Sequence, residues 1–142
     1  MNKGVENIDK INLRLEALRE YLKVLKPLQG ITGEKLAKNI NKRARAERFL
    51  QLAIEACIDI AELIISDQRL PTPKTSREAI EILGQEKIIN QKFAQKFAPV
   101  TGFRNILVHD YLKIDYRQVA DKINNRLGDF ERFAQEVAKF LT

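Results

Sequence analysis

"FLQLAIEACIDIAELII", Phe49 to Ile65, decides how this chain folds. Apolar residues occupy nearly every face of a helix drawn through it, the pattern of a helix surrounded by others in the middle of a bundle. The exceptions are ordered. Gln51, Glu55, Asp59 and Glu62 recur at spacings of four, four and three, which gathers them into one polar stripe. Such a stripe either meets solvent or faces a site, and both readings stand. Cys57 lies within the apolar run and reads as a small buried hydrophobe rather than a reactive thiol. With one cysteine and one histidine in the chain, a disulfide framework and a zinc site are both excluded.

The flanking segments are helical too. Ile8, Ile11, Leu15, Leu18, Leu22 and Leu25 step by three and four along one face and predict an amphipathic helix that ends near Pro27. Gly30 and Gly33 mark a connection, and a second helix is expected from about Glu34 to Ser66, with the central stretch as its second half. Thr75 and Glu78 fit a capping box for a short helix that Gly84 should end. NQKFAQKFA predicts another, and Pro99 suits the first turn of PVTGFRNILVHDY. Asp115 and Gln118 resemble a second capping box, followed at helical spacing by Tyr116, Val119, Ile123, Leu127, Phe130, Phe133, Val137 and Phe140. No stretch reads as a strand. The expected fold is all-α, an antiparallel bundle of four to five main helices forming one domain over residues 1–142.

No apolar run approaches the roughly 18 residues that a membrane helix requires, and MNKGVENIDK lacks the apolar core of a secretory signal. A cytoplasmic protein without a membrane partner is expected. The formal charge of +6 suits a polyanionic partner, because Lys and Arg that neutralise phosphates release counterions. Lys38, Lys42, Arg43, Arg45 and Arg48 concentrate that charge in KNINKRARAER, which reads equally as a solvated face or a phosphate-binding one.

"RNILVHDY", Arg104 to Tyr111, holds the only histidine. Asn105 and His109 are four apart and project together, so the amide can orient the imidazole. Arg104 and His109 are five apart, about 140° around an ideal helix, and share one phosphate only through the long guanidinium stem or an unwound helix end. An arginine that grips a phosphodiester and a histidine that moves protons near neutral pH could together cleave RNA through its 2′-hydroxyl without a metal. One histidine cannot be acid and base at once, so a two-fold dimer that brings a second copy to the cleft is the natural arrangement. A structural histidine capping a helix end remains the alternative.

Arginine, asparagine, three apolar residues, histidine, any residue and tyrosine, followed by an acidic capping position, resembles the signature of the HEPN superfamily, in particular its HepT-like branch. FLQLAIEACIDIAELII, FAPVTGFRNILVHDYLKID and DFERFAQEV are similar to that branch as well, so the resemblance covers about Leu36 to Leu141. It implies a dimeric bundle that is the toxin of a toxin–antitoxin pair, a metal-independent endoribonuclease with no cofactor. Arg104 and His109 would be its catalytic pair, with Asn105 and Asp110 in support. Tyr111 would be the acceptor of AMP from the partner, a minimal nucleotidyltransferase antitoxin. AMP there would add negative charge and bulk beside the phosphate-binding arginine. Glu55 or Asp59, if turned to the cleft, would orient Arg104 or His109. A non-enzymatic module that binds nucleotides or a nucleotidyltransferase, and a purely structural bundle, are the competing functions.

Overall fold

A computed structural model describes residues 7–109 and 113–142. These form α1 (Ile8–Leu25), a 3-10 turn (Lys26–Leu28), α2 (Gly33–Lys38), α3 (Ile40–Asp67), α4 (Ser76–Gln85), α5 (Gln91–Phe97), α6 (Val100–His109), α7 (Tyr116–Asn125) and α8 (Leu127–Phe140). The described residues contain no strand, and no helix among them is long and apolar enough to cross a membrane. The all-helical expectation holds, with α1, α3 and α8 as the longest helices, α4, α6 and α7 of ten residues each, and α2 and α5 shorter.

α3 occupies the middle for the reason its sequence gives. Ala53, Ile54, Ile60 and Ala61 are fully buried, and Ala56, Cys57, Ile58, Ile64 and Ile65 nearly so, so from Phe49 to Ile65 all but a narrow strip of this helix is covered, while its first turns are mostly exposed. α1 lies along it with Ile11, Leu15, Leu18 and Leu25 turned inward, while α4 and α6 pack elsewhere on α3, and α8 packs against α1. Burial pushes the Cys57 thiol well up from its ordinary range, which keeps it protonated and unreactive. At the far end of the core, Phe97 meets Phe130 edge-on at 5.3 Å and stacks on Phe93 and Phe133 at 5.3 and 5.4 Å. These are the geometries that ring quadrupoles favour.

Three boundaries differ from the sequence reading. The helix expected from Glu34 to Ser66 is two helices, because Asn39 is extended (φ −114°, ψ 99°). It closes α2 and caps α3, its side chain accepting from the Lys42 N–H at 3.0 Å. The last helix is likewise broken, at Arg126, into α7 and α8. Gly84 does not end α4; it lies inside the helix and is buried. A Cβ on it would come within 2.5 Å of the Ala94 Cβ, so this glycine allows α4 and α5 to approach closely.

The two caps form with altered partners. Thr75 Oγ1 accepts from the Glu78 N–H, but the Glu78 carboxylate accepts from the Lys74 N–H, one residue earlier than the reciprocal box requires. Asp115 accepts from the Arg117 N–H and pairs with the Arg117 guanidinium, whereas Gln118 donates only its backbone N–H to the Asp115 carbonyl. That pairing holds the Asp115 carboxyl below its usual range.

Candidate active site

α6 buries Phe103 and Leu107 and half-buries Ile106, which fixes the rotation of the helix. Arg104 is half-buried, while Asn105 and His109 are exposed, His109 as the last residue of α6. Asp110 and Tyr111 lie outside the described residues, so the expectations placed on them are unaffected by the structure. The chain re-enters α7 through Tyr116, whose hydroxyl donates to Glu47 Oε2 at 2.7 Å with Arg43 5.9 Å from the ring. Burial, then the bond to Glu47, raises the Tyr116 hydroxyl from its ordinary range. This contact ties the segment just beyond the motif to α3.

The polar stripe of α3 is the strip that its neighbours leave uncovered. Gln51, Glu55 and Asp59 are half-buried and Glu62 is exposed. Gln51 Nε2 donates to Glu55 Oε2 at 3.2 Å, and Asp59 Oδ2 pairs with Arg14 Nε of α1 at 3.5 Å. Burial pushes the Asp59 carboxyl up; Arg14 opposes this, Glu55 adds to it, and Arg104 opposes it from α6. Arg104 is thus near enough to stabilise the charge on Asp59. It forms no ion pair within 4.0 Å among the described residues. Arg104 and Asp59 are electrostatic neighbours, whereas His109 lies on another side of α6, as the five-residue spacing requires.

Arg14 is the member of this group that the motif does not announce. Its only sequence signal is its place beside the apolar stripe of Ile11, Leu15 and Leu18, at the edge that meets the α3 stripe. The basic stretch divides as well. Lys38 pairs with Glu34 at 3.1 Å, and Arg43 turns inward to donate to the Ala37 carbonyl at 2.8 Å. Lys42, Arg45 and Arg48 remain exposed, with no ion pair among the described residues. Also among the described residues, no group of three or more His, Cys, Asp or Glu is placed to hold a metal.

The arrangement places an arginine without an ion pair among the described residues within electrostatic reach of Asp59, about one and a half helical turns before an exposed imidazole. Comparison with known proteins identifies the family. The family model described as "Ribonuclease HepT-like" matches residues 14–137. A tRNA nuclease HepT of Aphanizomenon flos-aquae is 33% identical over 131 residues, covering 92% of this chain and 89% of that protein. An mRNA nuclease HepT of Shewanella oneidensis is 30% identical over 125 residues, covering 88% and 93%. Among solved structures, a tri-AMPylated Shewanella oneidensis HEPN toxin in complex with MNT antitoxin superposes with a TM-score of 0.81 at 29% identity, over 91% of this chain and 96% of that one. The match over nearly the whole chain establishes that this protein belongs to the ribonuclease HepT-like family.

Proposed function

We propose that this chain is the toxin of a toxin–antitoxin pair, a cytoplasmic ribonuclease that acts without a metal and is silenced by AMPylation of Tyr111. The observation that carries the reading is the helix α6 itself, which presents Arg104, without an ion pair among the described residues, within electrostatic reach of Asp59 and His109 exposed at its end, in a chain that family and relatives place among HepT nucleases. The relatives are nucleases of tRNA and of mRNA, so RNA is the proposed substrate class.

The chemistry follows from the two side chains. Neutral His109 takes the proton of a ribose 2′-hydroxyl as that oxygen bonds to the adjacent phosphorus. Arg104 binds the phosphate oxygens and stabilises the charge that accumulates on them. The bond from phosphorus to the 5′-oxygen breaks, and the departing oxygen takes a proton from the imidazolium of a second copy, leaving a 2′,3′-cyclic phosphate and a 5′-hydroxyl. This division of acid and base is the reason for a two-fold homodimer. Asn105 orients His109, Asp110 supports the helix end, and Asp59 acts on Arg104 through its charge.

Silencing uses the neighbouring tyrosine. The Tyr111 hydroxyl attacks the α-phosphate of ATP on a nucleotidyltransferase antitoxin, a new oxygen–phosphorus bond forms, and pyrophosphate leaves. The AMPylated toxin held by an MNT antitoxin in a similar structure supports this assignment. Expression in cells tests it. Wild type should arrest growth, co-expressed nucleotidyltransferase should relieve the arrest, and Tyr111→Phe should stay toxic in its presence. A Tyr111→Phe protein that still gains the mass of AMP to the wild-type extent contradicts the acceptor assignment.

A further inference from the structure

Gly102 has no local reason to be glycine. It lies inside α6, its φ is not positive, and a Cβ there would meet no heavy atom within 4 Å outside its own helical turns. A glycine within a helix costs up to about 1 kcal/mol relative to alanine. By contrast, Gly84 and Gly33 are crowded by Ala94 and by the Arg117 backbone. The open space above Gly102 belongs to a pocket of about 430 Å³ between α5, α6, α7 and α8, a size that suits a small ligand or one unit of a polymer.

The lining has two characters. Phe103, Ile106 and Val100 supply an apolar wall, and Lys96, Lys122 and Arg126 supply cations. Lys122 is held over the Phe103 ring at 4.9 Å with its side chain only 23% exposed, so its ammonium is partly stripped of water and directed at the pocket. The carboxylates engage these cations loosely: Asp129 lies 3.6 Å from both Lys96 and Arg126, and Asp121 lies 3.8 Å from Lys122. Three cations against two carboxylates leave a positive excess at the mouth. Gly102, Ile106 and His109 follow at steps of four and three, which puts pocket and imidazole on one side of α6.

We propose that this pocket is an RNA subsite, holding one nucleotide of the strand next to the phosphate that is cleaved, with its base against Phe103 and Ile106 and its phosphate on Lys122 and Arg126. The proposal rests on the ribonuclease reading for its substrate. The excess of cations at the mouth favours a polyanionic strand as its occupant. Gly102 is then the position where a side chain would occupy the space of the nucleotide.

The test uses the full chain, with His109→Ala to keep RNA intact, and a short fluorescein-labelled single-stranded RNA. Adding Gly102→Leu should weaken binding roughly tenfold, and Arg126→Gln by a similar factor, as expected for one lost stacked base or phosphate contact. Helical circular dichroism checks the fold; should Gly102→Leu unfold, the exposed Arg126→Gln decides alone. Unchanged RNA affinity in the folded variants overturns the subsite. So does a Gly102→Leu protein whose mass by light scattering changes while its RNA affinity does not, since the space then serves a second copy. The underlying reading fails separately: wild type that binds RNA in this pocket without cleaving it sinks the ribonuclease assignment and leaves the subsite standing.

Discussion

Arg14 of α1 and Asp59 of α3 form an ion pair of 3.5 Å at the edge of the strip that Arg104 approaches from α6. Arg14 pairs with this carboxylate, and Arg104 acts on it only through its charge.

Asp59 should carry function at the expense of stability. Burial raises its carboxyl above the ordinary value of 3.8, so the folded state holds the proton more tightly than the unfolded chain. The stability contribution of the protonated form is fully present below the ordinary value and is lost as pH rises through the raised folded value. At neutral pH Asp59→Asn should leave the thermal midpoint unchanged or higher while RNA cleavage falls, because Arg104 loses its neighbour. Thermal melts with cleavage rates check this, and a fall in midpoint with full activity would make Asp59 a purely structural residue.

Two glycines in helices should respond oppositely to alanine. Gly84→Ala forces its methyl onto Ala94 and should destabilise by roughly 1–3 kcal/mol, as overpacking does. Gly102→Ala meets nothing and should stabilise by up to about 1 kcal/mol. Denaturant midpoints of the two variants measure the difference directly.

Tyr116→Phe removes the 2.7 Å bond to Glu47 that ties α7 to α3. The loss should be about 1 kcal/mol, with a thermal midpoint lower by a few degrees. Amide hydrogen exchange should rise at the start of α7 before it rises in α3, and uniform protection in the variant would show that the contact does not anchor the segment.

Much of this was legible where the chain's pattern is local. The α1 stripe and the nearly all-apolar α3 follow from spacing alone, and Arg104, Asn105 and His109 fall on the helix that their flanking residues predict. What escaped depended on contacts between elements. Gly84 reads as a stop because a glycine's local meaning is a break, whereas here Ala94 of another helix explains it. Asn39 carries a usable signal, a capping side chain within a helical pattern, but Arg126 carries none, since arginine is no capping residue. The part played by Arg14 is invisible without knowing that α1 lies beside the α3 stripe.

Cleavage of RNA by the purified chain in excess chelator decides whether Arg104 and His109 act without a metal. Wild type should yield fragments ending in 2′,3′-cyclic phosphate and 5′-hydroxyl, with His109→Ala slower by roughly a hundredfold or more, as loss of a general acid–base requires. RNA left intact by wild type, cleavage that depends on added divalent metal, or equal cleavage by His109→Ala would contradict metal-free cleavage by this pair.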